Sequence, residues 1–247
     1  MTKILVIGDS CTDIYTYCKS SRLAPDKPVP ILEVEEVRSC PGMAYNVFCN
    51  AASLCGEEVD MATNDNYKDV TKNRYVDKAS NHMFFRLDSS VPIERIDGVE
   101  DLSFDYETIV ISDYDKGFLT EDDIEQICEN HHRVFLDTKK VLGPWARAAK
   151  FIKINNHEYE RSHEFIDKYL KDKVIRTMGD EGCTYKDKVY STKRIETIDL
   201  SGAGDTFLAA LAVHYTHKED ISKAIKFANK CASQVCRKKG TSIVVKD

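Results

Sequence analysis

No two of the nine cysteines stand at Cys-x-x-Cys spacing; they are scattered at 11, 18, 40, 49, 55, 128, 183, 231 and 236. Zinc sites draw ligands in close pairs, so the scatter speaks against a structural metal, and the odd count suits reduced thiols better than a disulfide framework. Several lie inside apolar helical patterns, where Cys acts as a small hydrophobe. Long apolar runs are missing too. The longest, Ile4–Ile7 and Phe207–Val213, fall far short of the ~20 residues that cross a bilayer. A basic excess is absent, with 35 Lys and Arg against 41 Asp and Glu and a formal charge of −6, which argues against a nucleic-acid partner. There is no low-complexity tract, long linker or internal repeat. Met1-Thr2-Lys3 leads straight into Ile4–Ile7, too short a start for a signal peptide. The expectation is a cytoplasmic protein without membrane or nucleic-acid partners.

What is present is ordinary globular composition, 42% hydrophobic and 31% charged over 247 residues, enough for one large or two small domains. Continuous apolar strands alternate with helical patterns, as in a parallel sheet covered on both faces. Strands are predicted at Lys3–Gly8, Thr108–Ser112, Arg133–Asp137, Phe151–Ile154 and Val174–Thr177, and a hairpin at Cys183–Tyr185 and Val189–Ser191. Helices are predicted at Ala44–Leu54, from a Thr120 cap to about His131, near His157–Leu170, at Asp205–His214, and over the apolar positions 221, 224, 225, 228, 231, 232 and 235. Residues 22–41 break the rhythm. They hold four of the six prolines and, at Ile31–Val37, a near alternation that suits a half-buried antiparallel strand. Residues 72–88 read the same way, so the two segments are expected to form a small β-appendage over the sheet edge.

The chemistry-bearing tetrapeptide is Gly202-Ala203-Gly204-Asp205, at the opening of a helix. Two glycines let backbone amides approach an anion, and the helix start adds free N–H groups and a positive dipole end. A carboxylate on that turn can take a proton from a nucleophile held against the phosphate. Alone, the tetrapeptide fits a glycine-rich helix cap equally well. Walker A is absent, and the dinucleotide fingerprint fails because Phe207 stands where its third glycine belongs.

Asp199-Leu200-Ser201-Gly202-Ala203-Gly204-Asp205 resembles the D-T-x-G-A-G-D signature of the ribokinase-like (PfkB) carbohydrate kinases. Asn155-Asn156-His157-Glu158 resembles the family's N-x-x-E motif, and Thr177-Met178-Gly179-Asp180-Glu181-Gly182 its T-x-G-x-x-G nucleotide segment. Asn229 resembles the asparagine beside the adenine pocket, and Lys239-Gly240-Thr241 the closing nucleotide loop. The N-terminal half is similar to the heptose-phosphate kinase branch. It carries Gly8-Asp9-Ser10-x-x-Asp13, the stretch Ser21–Pro30, Pro41-Gly42-x-Ala44-x-Asn46, Arg86-Leu87-Asp88, Ser112-Asp113-Tyr114-x-Lys116-Gly117 and Asp137-Thr138-Lys139. The family pattern is broken at Met43, where a second glycine is usual, and between Val59 and Arg74, where a helix-plus-strand unit is missing.

The resemblance implies one α/β kinase domain over 1–247, a three-layer αβα sandwich around a mostly parallel sheet, with β-lid segments at about 14–41 and 72–88. It implies ATP and Mg2+ as cofactors and a sugar or sugar phosphate as acceptor. Asp205 would be the base, and the amides of Gly202, Ala203 and Gly204 the anion hole. Asp13, Gly42 and Asn46 would face the sugar, with Arg86, Asp88 and Lys116 also on the substrate side. Asn155 and Glu158 would hold the metal, and Asn155, Thr177, Gly179, Gly182, Asn229 and Gly240 would line the ATP site. Arg74, Arg86, Lys116 and Lys139 are candidates to clamp a phosphate already on the substrate, Arg86 first. Exposed apolar side chains on the appendage point to a homodimer through the β-lid. A kinase for another sugar or a nucleoside, and a degenerate binding protein without turnover, stay open as alternatives.

Overall fold

The computed structural model describes residues 3–56 and 58–245; the start read from Met1 and Thr2 lies outside them. In chain order the strands and helices are β1 (Ile4–Gly8), β2 (Ser10–Lys19), β3 (Glu33–Met43), α1 (Ala44–Cys55), β4 (Val59–Ala62), β5 (Thr71–Asp77), β6 (Met83–Asp88), β7 (Thr108–Asp113), α2 (Glu121–Asn130), β8 (Val134–Thr138), β9 (Phe151–Asn155), α3 (Asn156–Ser162), α4 (Lys168–Lys171), β10 (Val174–Thr177), β11 (Cys183–Tyr185), β12 (Lys188–Tyr190), α5 (Ala203–Lys218) and α6 (Ile221–Val235). The main sheet has the order β12-β11-β10-β9-β8-β7-β1-β4. Every pairing from β10 to β4 is parallel, and the β11–β12 hairpin adds an antiparallel edge.

The parallel strands are apolar without a break because successive side chains point to opposite, equally covered faces. Ile4, Val6, Val110 and Phe135 pack against α1, α5 and α6. Leu5, Ile7, Ile109, Ile111 and Leu136 pack on the other side with Ile124 and Ile127 of α2 and Leu170 of α4. This is the expected three-layer αβα sandwich. Burying each such side chain is worth roughly 1.5–3 kcal/mol.

A second, four-stranded sheet has the order β3-β2-β5-β6. One residue, Asp9, separates β2 from β1, and β3 runs directly into α1. The small sheet is therefore rooted at the C-terminal end of β1, which brings its inner residues to the same end of the main sheet.

Several elements differ from the sequence reading. Strand β2 begins at Ser10, ahead of the lid segment expected from about residue 14, because Ser10 and Asp13 break the apolar pattern of its first half although both are buried. Strand β3 is longer than Ile31–Val37 and ends in Met43. Helix α5 extends beyond Asp205–His214, since Gly202 supplies a left-handed N-cap and the chain leaves the helix only at the left-handed Glu219. The helix read near His157–Leu170 is broken, because Asp167 caps α4 by accepting from the N–H groups of Tyr169 and Leu170. The hairpin's second strand is Lys188–Tyr190, one residue earlier than read. Among the described residues no strand lies beyond β4, and residues 63–70 carry the chain straight from that edge to β5. No helix of the described residues is long and apolar enough to cross a membrane.

Candidate active site

The C-terminal ends of β1, β7, β8 and β9 and the start of α5 converge on one cleft, where ligands collect in open α/β sheets. A cleft of about 500 Å³ is lined there by Tyr114, Lys139, Lys153, Asn155, Thr177, Gly179, Gly202, Ala203, Gly204 and Asp205, among others. Gly202 has φ 78°, a left-handed conformation that suits glycine. A Cβ there would also meet Asn46 Nδ2 at 2.7 Å. The tetrapeptide thus opens α5 with its first amides turned to the cleft, a ready anion cradle.

Asp205 sits in the first turn of α5 and is only 5% exposed. Asn46 Nδ2 donates to its Oδ2 at 2.9 Å, and the Tyr114 hydroxyl donates to its Oδ1 at 2.6 Å. Burial pushes its carboxyl pKa above the ordinary aspartate value. The donors Asn46 and Tyr114 and the charge of Lys153 pull it back, and Asp137 adds to the rise. The result is a carboxylate held in place yet less comfortable ionised than one in water, a useful state for a base.

Beside it lies a chain of alternating charges. Lys153 Nζ donates to Asp137 Oδ2 at 2.6 Å, and both side chains are buried. Lys139 Nζ bonds Glu158 Oε1 and stands 3.9 Å from Asp137 Oδ1. Burial works to lower the Lys139 pKa, but the Asp137 and Glu158 carboxylates outweigh it and hold the ammonium above its usual range. Asn155 and Glu158, expected as metal ligands, form a reciprocal cap at the start of α3. Glu158 N donates to Asn155 Oδ1 at 2.9 Å, and Asn155 N donates to Glu158 Oε2 at 2.7 Å. Oxygen donors for magnesium are nonetheless at hand, since Asp137 Oδ1 is buried without a hydrogen-bond partner. Asp137, Glu158 and Asn155 offer hard oxygens beside a phosphate cleft, fitting an ion that keeps several waters and takes other ligands from phosphates. Among the described residues no group of three or more His, Cys, Asp or Glu is placed to hold a metal ion by itself.

On the other side, the small sheet brings Asp13 to the cleft. Arg74 Nη1 donates to its Oδ1 at 2.7 Å and Thr241 Oγ1 to its Oδ2 at 3.2 Å. Gly42 lies opposite Cys11 in the β2–β3 register, and a Cβ on it would stand 3.0 Å from the Asp13 carboxylate and 2.7 Å from Cys11 Sγ. Asp13, Gly42, Asn46 and Asp205 are therefore brought together. Arg86 and Asp88 are not with them. They form an exposed ion pair on β6, Nε to Oδ1 at 2.8 Å. Lys116 is exposed on the loop after β7 and shares a small cavity with Lys72, Asp88 and Met43. Thr177 and Gly179 line the cleft, whereas Gly182 packs against the Tyr190 carbonyl. Asn229 donates to that carbonyl at 2.9 Å and lines a neighbouring pocket of about 550 Å³ with Thr192, Lys193 and Lys226. Gly240 lies against the Tyr15 ring, its N–H donating to Asp199 Oδ2 at 3.0 Å.

Read from sequence, Thr241 belongs to the nucleotide loop rather than to Asp13, Tyr114 and Asp137 stand within motifs without an assigned task, and Lys72 and Lys153 have no role. For Lys153 a signal was available: a lysine inside the apolar run Phe151–Ile154 has to be paired if that strand is buried. The contacts of the other four are made only through the tertiary fold.

The pfkB family carbohydrate kinase model matches residues 110–247. The chain is 27% identical to the bifunctional protein HldE of Hydrogenovibrio crunogenus over 99% of its own length and 61% of that protein's. It is 28% identical to the HldE of Helicobacter pylori over 98% and 64%. It thus spans about three fifths of the length of these curated relatives. The first match runs over 294 aligned positions against 247 residues here, so at least 47 of them lie opposite gaps in this chain. Among solved structures it superposes on a ribokinase from Thermotoga maritima with a TM-score of 0.73 at 15% identity, over 98% of this chain and 95% of that one. With a nucleoside kinase from Methanocaldococcus jannaschii the TM-score is 0.70 at 19% identity, over 99% and 95%. These likenesses give the fold as ribokinase-like, and the family match over more than half its length makes this chain a member of the pfkB family of carbohydrate kinases.

Proposed function

We propose that the chain transfers the γ-phosphoryl group of ATP to a hydroxyl of an already phosphorylated sugar, with heptose 7-phosphate as the foremost acceptor. The observation that carries this reading is Asp205, buried in the first turn of α5 next to the Gly202–Gly204 amides. Phosphoryl transfer needs in-line positioning and neutralised charge more than covalent help. Asp205 accepts the proton of the attacking hydroxyl, while the α5 amides and Lys153 face the transferring group. Asp13, seated by Arg74 and Thr241, orients the sugar by accepting from its hydroxyls. Asp137, Glu158 and Asn155 are the residues that would hold magnesium, which would supply positive charge to offset that of the phosphates near Asp205. Thr177 and Gly179 in the cleft and Asn229 in the neighbouring pocket line the path of the nucleotide, with Gly240 contributing from the loop against Tyr15. The heptose-phosphate assignment leans on the motifs of the N-terminal half and on the likeness to the HldE proteins. The appendage sheet acts as a lid and, through its exposed apolar face, as the contact of a homodimer.

The test is ADP release with MgATP against a panel of sugars and sugar phosphates. Turnover highest with heptose 7-phosphate is the expected result. Equal turnover with unphosphorylated sugars would remove the phosphorylated-acceptor assignment, and turnover with none would remove the kinase reading.

A further inference from the structure

Tyr114 is engaged on every side, yet the proposed chemistry does not use it. Its hydroxyl donates to Asp205 Oδ1 at 2.6 Å, and its ring lines the cleft beside Gly202, Ala203 and Gly204. The ring is flanked by two ammonium groups, Lys72 Nζ at 5.0 Å from the centroid and Lys139 Nζ at 5.1 Å. Lys72 comes from β5 of the small sheet and Lys139 follows β8 of the main sheet, so the ring is held from both sheets. Its backbone N–H donates to the buried Asp9 at 2.7 Å, which fixes the loop. The other Asp205 oxygen is taken by Asn46.

We propose that the Tyr114 hydroxyl caps the base Asp205 while no acceptor is bound, occupying the place of the sugar hydroxyl and guarding ATP against hydrolysis. The inference rests on the reading of Asp205 as the base. A kinase holding ATP beside an uncapped carboxylate risks a wasteful reaction. A water oxygen attacks the γ-phosphorus, its proton passes to Asp205, the bond from that phosphorus to the β–γ bridging oxygen breaks, and ADP and inorganic phosphate leave. Water is always present, so excluding it from the base matters as much as activating the sugar. A phenol does this well. It donates to the carboxylate as a sugar hydroxyl does, but buried beside Asp205 and Asp137 it is held neutral far above its usual titration range. It also costs little to displace, because the arriving sugar hydroxyl replaces one charge-assisted hydrogen bond with another. Tyr114 is thus a positioning residue whose exchange with substrate makes the chemistry conditional on the acceptor.

The experiment measures inorganic phosphate release from MgATP without any sugar, for the wild type, Tyr114→Phe, Tyr114→Met, and Asp205→Asn with and without Tyr114→Phe. Both Tyr114 variants are expected to release phosphate at least about fivefold faster than the wild type. The increase should vanish when Asp205→Asn is added. Tyr114→Phe keeps the ring and removes only the hydroxyl, so faster release by that variant traces to the lost hydrogen bond to Asp205 rather than to lost packing. Unchanged or slower release in two folded Tyr114 variants overturns the proposal, as does an increase that survives Asp205→Asn. ADP release by Asp205→Asn is measured in parallel with an acceptor sugar phosphate; if it is intact there, the base assignment falls instead, which keeps the two failures apart.

Discussion

Lys153 Nζ and Asp137 Oδ2 lie 2.6 Å apart with both side chains buried, and the same ammonium would stand 3.1 Å from a Cβ placed on Gly204. The pair therefore fixes a positive charge at the first turn of α5, next to the amides meant for an anion. Neither partner can be removed alone without stranding the other in a poorly solvated place.

Lys153→Met should destabilise the protein by about 3–5 kcal/mol, the scale for breaking a buried pair from one side. Adding Asp137→Asn should recover part of that loss. Urea unfolding of both variants checks this, and a double variant less stable than Lys153→Met would show that the pair is not the relevant unit.

Asp205→Asn should lower kcat at least ~100-fold while leaving ATP binding nearly intact, the usual scale for losing a general base. The pH dependence has a definite sign. Burial raises the Asp205 pKa, and the base works ionised, so activity should fall on acidification at a pH above the ordinary aspartate range. Stability runs the other way. A carboxyl whose folded pKa lies above its unfolded value opposes folding while ionised, and the penalty is relieved as pH drops through the folded pKa. Asp205→Asn should therefore match or exceed the wild-type Tm at alkaline pH, with its advantage shrinking as the pH falls through the raised folded pKa. Thermal melts across that range, beside a pH–rate profile, test both halves.

Arg74 and Arg86 face each other in the β5–β6 register but do different work. Arg74 seats the buried Asp13, so Arg74→Ala should damage the use of every acceptor. Arg86 holds only the exposed Asp88, a weak and screened pairing from which it can be released. Arg86→Ala should then raise KM more than tenfold for a phosphorylated acceptor and barely alter an unphosphorylated one. KM values on a matched pair of acceptors decide it, and equal losses with Arg86→Ala would assign that side chain to the sheet rather than to the phosphate.

The layered sandwich could be read from the sequence because parallel strands buried on both faces advertise themselves as unbroken apolar runs. Ile4–Ile7 and Ile109–Ile111 did so, and the Thr120 capping box announced α2. The first half of strand β2 stayed hidden because Asp13 interrupts the apolar side chains Cys11, Tyr15 and Tyr17 on its inner face, and its carboxylate is buried only because Arg74 meets it from the neighbouring strand. Likewise Asp205 could be singled out by its glycines, but its hydrogen-bonding partners Asn46 and Tyr114 lie 159 and 91 residues away. Contacts closed over such separations leave no local pattern.

The outer face of the small sheet carries Val34, Val37, Phe85 and Leu87, all largely exposed, with Phe85 stacked on Tyr75 at 4.5 Å. Phe85→Asp with Leu87→Asp should leave the fold intact and yield monomers. Light scattering at micromolar concentration should give twice the mass of one chain for the wild type and a single chain for the variant; a monomeric wild type would dispose of the dimer.

The one-residue joint at Asp9 and the unbroken passage from β3 into α1 give the small sheet a pivot rather than a tether. Asp9 is wholly buried and accepts from the N–H groups of Tyr114 and Phe118, so the pivot is pinned to the loop that carries the cap on Asp205. At about 3.3 Å per residue, a rotation of roughly 10° would sweep the far end of β2 by about 6 Å and move Asp13 by only about 2 Å. Such a lever is geared down where the reacting atoms meet: its rim can open wide enough to admit a sugar while the groups nearest the fulcrum keep their alignment.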